Sequence, residues 1–102
     1  MKVVRVQYTV KEEYVAQNKS NIEAVMEELR VTPIFGLRYE VFQLPDETSF
    51  MHLNFPNSQE ASAAFSSLAS FERFRTELKA SGPVSPPKAE HLSVVGTSDE
   101  IF

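Results

Sequence analysis

The sequence has no cysteine and no tryptophan, and only three glycines among its 102 residues. The absence of cysteine excludes disulfides, thiolate nucleophiles and thiolate metal ligands. With no disulfide framework, a cytoplasmic setting is expected. Gly36, Gly82 and Gly96 lie far apart, so no glycine-rich loop can cradle a phosphate. No serine sits in a G-x-S-x-G elbow. The two histidines, His52 and His91, fall in neither an H-x-H nor an H-E-x-x-H spacing, and no metal or other cofactor is expected. Long apolar runs are also missing, which argues against a membrane span. The first residues, Met1 to Tyr14, turn charged too early for a signal peptide. Basic charge is in deficit: 10 Lys and Arg against 14 Asp and Glu give a net charge of -4. A nucleic-acid partner is therefore not expected, because phosphate binding needs a basic surface.

What is present reads as one domain over residues 1–102, in the order strand, helix, strand, strand, helix, strand. From Val3 to Lys11 the chain alternates, with Val4, Val6, Tyr8 and Val10 on one face, which predicts a half-buried strand. From Glu12 to Arg30, Val15, Ile22, Val25, Met26 and Leu29 recur at helical spacing. The middle of that helix is polar, and Asn18 falls on its buried stripe; a break capped by Ser20 is the alternative. Gly36 to Phe55 reads as a hairpin turning at Pro45-Asp46-Glu47. The expected register sets Val41 opposite Met51 and Glu40 opposite His52, because a slip of one residue would drive His52 into the core.

A second helix is expected to open on Asn57 with Glu60 as its capping-box partner. A further helical piece, capped by Ser70, carries Phe71, Phe74 and Leu78 and stops at Gly82-Pro83. Glu90 to Val95 is the expected last strand, with Leu92 and Val94 facing the core, and Thr97 to Phe102 is a tail whose Ile101 and Phe102 are free to pack on a neighbour. The fold class is α+β, a ferredoxin-like βαββαβ unit with an antiparallel sheet. Its second sheet face mixes charged residues with Phe42 and Phe50, a composition suited to packing on another copy of the chain.

The hairpin resembles that of the antibiotic biosynthesis monooxygenase-like family. Gly36 followed by Leu37-Arg38-Tyr39-Glu40-Val41 is similar to that family's glycine and L-x-Y-x-V strand. Ser58-Gln59-Glu60-Ala61 and Ser70-Phe71-Glu72-Arg73-Phe74 resemble its helix start and its S-x-x-F motif. The resemblance implies a dimeric α+β barrel formed by apposed sheets, with a pocket between sheet and helices. It also implies oxidation of a small aromatic or quinol-type molecule without a cofactor. The sequence departs from the family in having no tryptophan, in carrying Ser70 where a histidine is usual, and in ending strand three with Leu53-Asn54-Phe55. Those departures favour the alternative, a non-catalytic small-molecule-binding or structural homodimer of the same fold.

Within this frame His52 is the candidate base, with Asn18 and Tyr39 as further catalytic contacts. Tyr8, Phe65, Phe71 and Phe74 are the candidate substrate-binding residues. Each has a plainer role available: His52 as a cross-strand partner of Glu40, the tyrosines and phenylalanines as ordinary core, Asn18 as an amide satisfied by backbone or water.

Overall fold

The computed structural model describes residues 2–99; Ile101 and Phe102 lie outside the described residues. Strand β1 (Lys2–Thr9) leads through a 3₁₀ turn at Glu12–Tyr14 into helix α1 (Val15–Val31). Strands β2 (Leu37–Gln43) and β3 (Ser49–Pro56) form the hairpin, followed by helices α2 (Gln59–Ser66) and α3 (Ala69–Ser81) and strand β4 (Ser85–Ser93). The sheet order is β2-β3-β1-β4, and every pairing is antiparallel. This is the ferredoxin-like arrangement, with the two chain-end strands side by side and the helices on one face.

The helix α1 is unbroken across its polar middle, because that middle faces polar partners. Asn18 looks at the sheet. Asn21 looks at α3, where its Nδ2 donates to Glu77 Oε1 at 2.9 Å while its Oδ1 accepts from Gln17 Nε2 at 2.9 Å. Gly36 precedes β2 with φ of 79°, a left-handed conformation that costs other residues strain. Its carbonyl accepts from Asn57 N at 2.7 Å, which ties the start of β2 to the end of β3. Asp46 organises the turn, accepting from the backbone N–H groups of Thr48 and Ser49. The cap of α2 is Ser58, whose Oγ accepts from Ala61 N at 3.1 Å, rather than Asn57 one residue earlier. The residue before α3 is Leu68, not Ser70. Ser70 lies in the first turn, where its N–H donates to Glu28 Oε1 at 3.0 Å and its hydroxyl donates to the same oxygen. A carboxylate on α1 thus supplies the cap that α3 lacks locally.

The hairpin register differs by one residue from the expectation. Val41 lies opposite His52, Glu40 opposite Leu53 and Phe42 opposite Met51. His52 and Glu40 therefore point to opposite sides of the sheet, and the expected cross-strand pair does not form. Phe50, His52 and Asn54 face the helices, while Met51, Leu53 and Phe55 face outward. The reason is that β3 has apolar residues on both faces, so alternation alone could not orient it. The last strand is corrected in the same way. It starts at Ser85, and Leu92 lies opposite Val3 while His91 lies opposite Val4, so His91 rather than Leu92 is on the helix side. Pro86 and Pro87 are tolerated because β4 is an edge strand.

The core lies between the sheet and the helices, with Tyr8, Val10, Val25, Phe50, Phe65, Phe74 and Leu78 buried in one cluster. Burying each of the large side chains contributes about 1.5–3 kcal/mol. The outer sheet face keeps its polar groups largely paired among themselves. Arg38 Nε donates to Glu40 Oε1 at 2.7 Å, and Arg5 lies 3.7 Å from Glu90.

Candidate functional site

The helix-facing side of the sheet carries a line of polar groups inside the aromatic core. Period-two alternation points Tyr8 of β1, Tyr39 of β2 and His52 of β3 to the same side, and Asn18 of α1 descends onto them. Asn18 Nδ2 donates to Tyr8 Oη at 2.9 Å. Tyr8 Oη lies 2.7 Å from His52 Nε2, and Tyr39 Oη is hydrogen-bonded to His52 Nδ1. Asn18 has no exposed surface, and Tyr8 and His52 are buried.

Burial sets the protonation of this line. With no carboxylate beside it, the imidazole of His52 falls from its ordinary 6.5 to about 3, because desolvation disfavours the cation. Burial likewise pushes the phenols of Tyr8 and Tyr39 above the usual phenol range, with the Asn18 hydrogen bond drawing Tyr8 partly back. All four groups are thus neutral at pH 7, and a neutral imidazole offers one N–H and one lone pair. Tyr8 already accepts from Asn18. Its own hydrogen has no acceptor except Nε2, and an orphaned buried hydroxyl costs about 1–3 kcal/mol. Tyr8 therefore donates to Nε2, which leaves the proton of His52 on Nδ1, donated to Tyr39 Oη. The hydroxyl hydrogen of Tyr39 is left over at the end of the line.

Tyr39 borders a cavity of about 530 Å³, a volume suited to a drug-sized ligand. Its walls include Tyr8, Tyr39, His52 and Asn54 from the sheet, Phe65 from α2, and Phe71, Phe74, Arg75, Leu78 and Lys79 from α3. The aromatic rings touch one another: Tyr39 and Phe65 centroids are 4.6 Å apart, Phe65 and Phe71 4.3 Å, and Phe74 and His52 5.2 Å. Pro83, Pro86, Pro87 and Ala89 close a further side. Asn54 is a wall residue whose Oδ1 is enclosed with no donor in reach, as is Oδ1 of Asn18.

The seven residues singled out in the sequence thus come together. Tyr8, Tyr39, His52, Phe65, Phe71 and Phe74 line one cavity, and Asn18 stands behind Tyr8. Asn54, Arg75 and Lys79 were not singled out. Arg75 and Lys79 had a sequence signal: they fall four residues apart beside the Phe71, Phe74, Leu78 stripe. Asn54 had none until the register of β3 was known. Among the described residues no group of three or more His, Asp or Glu side chains is arranged to hold a metal ion.

No family model matches this sequence, and no curated protein matches it. Solved structures do. An antibiotic biosynthesis monooxygenase superposes with a TM-score of 0.78 at 18% identity, covering 94% of this chain and 100% of that one. This chain has the fold of the antibiotic biosynthesis monooxygenases. SnoaB, a cofactor-independent oxygenase from Streptomyces nogalater, shares that fold at a TM-score of 0.70 and 18% identity, with 97% of this chain and 98% of that chain covered. Rv0793 from Mycobacterium tuberculosis matches at 0.79 and 12% identity, over 96% and 98% of the two chains. Coverage near the full length of each chain means that the monooxygenase fold is present without a large insertion. No described helix is long and apolar enough to cross a membrane.

Proposed function

We propose that the chain binds a small aromatic, phenol- or quinol-type molecule in the cavity between sheet and helices and oxidises it as a cofactor-independent monooxygenase in the cytoplasm. The observation that carries this reading is His52, held between two tyrosine hydroxyls in the wall of an aromatic-lined cavity. The Tyr39 hydrogen is placed to donate to a ligand oxygen and so stabilise negative charge developing there. A ligand hydroxyl that instead donates to Tyr39 turns the line round. Tyr39 then donates to Nδ1 and Nε2–H donates to Tyr8, at a cost of about 1–3 kcal/mol for the Tyr8 hydrogen left without an acceptor, and His52 becomes the group that takes the ligand proton. The electron-rich anion left behind is the reductant for O₂. In the keto form of such a ring, a CH₂ goes to C=O: one oxygen atom of O₂ enters the ring and the other leaves as water with the two hydrogens. The substrate supplies all four electrons, and no outside reductant is needed. SnoaB, with the same fold, is described as a cofactor-independent oxygenase.

Oxygen uptake over a panel of anthrones, naphthols and quinols tests this reading. Uptake above the protein-free rate is expected, falling about 100-fold in His52→Gln and in Tyr39→Phe. Tight binding with no uptake would leave the second reading, a non-catalytic binding protein of the same fold. The low pKa of His52 favours that second reading, because a group titrating near 3 is a weak base at pH 7.

The same proposal includes a homodimer through the outer sheet face. Turning Met51, Leu53 and Phe55 outward makes this face more apolar than the sequence suggested, and it joins them to Phe42 and Leu92, both exposed. Light scattering on the eluted peak is expected to give twice the chain mass, and Leu53→Glu to give the chain mass. A monomer in the unaltered protein at micromolar concentration would overturn the dimer.

A further inference from the structure

The cavity is not lined by aromatic and neutral polar groups alone. Two cations, Arg75 and Lys79, stand on its rim, and no Asp or Glu is among its wall residues. In a chain with a net charge of -4 this is a local reversal of sign. The two are four residues apart on α3 and so share the helix face that carries Phe71, Phe74 and Leu78. Their depth differs from that of their neighbours: Phe74 and Leu78 are buried, whereas Arg75 and Lys79 are exposed. The rings therefore form the inner wall and the charges the mouth.

Both cations are unspent. Arg73, two residues before Arg75, is paired with Glu77, but among the described residues neither Arg75 nor Lys79 makes an ion pair. Arg75 is nevertheless held in place. Its Nη2 donates to the Ser66 carbonyl at 3.0 Å, and its guanidinium lies 4.7 Å from the centroid of the Phe71 ring. A fixed guanidinium stacked on a wall ring presents its remaining N–H groups where an acid group can meet them. Nothing in the cavity wall opposes an anion, since His52 and both tyrosines are neutral and no wall residue is Asp or Glu.

We infer that the cavity takes an anionic aromatic ligand, its ring system against Phe65, Phe71, Phe74 and His52 and its acid group at Arg75 and Lys79. The inference rests on the reading of this cavity as the ligand site, and it adds the charge of the ligand.

The test compares 2-naphthoate with 2-naphthamide, a neutral molecule of nearly the same shape, by calorimetric titration at low salt. The acid is expected to bind about 10-fold more tightly than the amide, with the gap narrowing as salt is raised. In Lys79→Gln, and further in Arg75→Gln/Lys79→Gln, the ratio of acid to amide affinity is expected to fall towards one, whatever the change in amide binding itself. Lys79→Arg, which keeps the charge, is expected to retain it. Both positions are on the surface of α3, and unchanged thermal midpoints establish that the variants are folded. Equal binding of acid and amide to the unaltered protein, or an advantage that survives in the double variant, overturns the anion preference and leaves the aromatic site standing. Failure of both molecules to bind overturns the ligand site itself, and the anion preference with it.

Discussion

The hydroxyl of Tyr8 lies 2.7 Å from Nε2 of His52, across two neighbouring strands and 44 residues of sequence. That contact joins the amide of Asn18 on one side to the imidazole on the other. Replacing Tyr8 with Phe removes one oxygen and orphans two buried groups, Asn18 Nδ2 and His52 Nε2. We expect a loss of about 2 kcal/mol of stability, read as a lower urea midpoint at an unchanged m-value.

Acid will weaken the fold earlier than the carboxylates alone would cause. His52 titrates near 3 when folded and near 6.5 when unfolded. The unfolded chain therefore binds this proton first, and stability falls as pH drops below 6.5, continuing to about 3. By pH 5 the loss is about 2 kcal/mol. Glu28, Asp46 and Glu77 have lowered values from their hydrogen bonds, so they too lose stability in acid, but in the lower range where carboxylates titrate. A urea series at pH 7, 6 and 5 checks this, with His52→Gln expected to be nearly flat over that interval.

The first turn of α3 depends on a residue of α1. Glu28→Ala removes the acceptor for both the amide and the hydroxyl of Ser70. The Ser70 amide is expected to exchange with deuterium markedly faster, while amides in the middle of α3 keep their rates. An unchanged Ser70 rate would mean that Glu28 is not the cap.

Gly36 is a backbone requirement. A Cβ added there at φ of +79° would come 3.1 Å from Asn57 Cβ. Gly36→Ala is expected to cost about 1–2 kcal/mol, measured by thermal or urea unfolding.

Much of this fold was legible from periodicity. The alternation of Val4, Val6, Tyr8 and Val10 oriented β1 correctly, as did Leu37, Tyr39 and Val41 for β2. Helical spacing put Asn18 on the buried stripe. The orientation of strand β3 was not legible because both of its faces are apolar, and the only tie-breaker was that a histidine belongs outside. That rule assumes an imidazole finds no partners in a core. Here Tyr8 and Tyr39 provide them, and only the sheet order brings those residues to either side of His52. The orientation of strand β4 was hidden for a related reason. At an edge, with every residue exposed, hydrophobicity carries no orientation, and two prolines disguised its start. For the site, residue types were legible one by one, whereas their hydrogen-bonded sequence from Asn18 to Tyr39 was a product of topology.

That sequence has only one end at which a proton can move. A carboxamide lends a hydrogen bond but does not surrender its hydrogen, so Asn18 closes the line as a cul-de-sac. Whatever His52 takes up through Tyr39 must go back through Tyr39. In the proposed oxidation, a proton removed from a bound molecule would therefore be held next to that molecule and returned through Tyr39 to the oxygen that leaves.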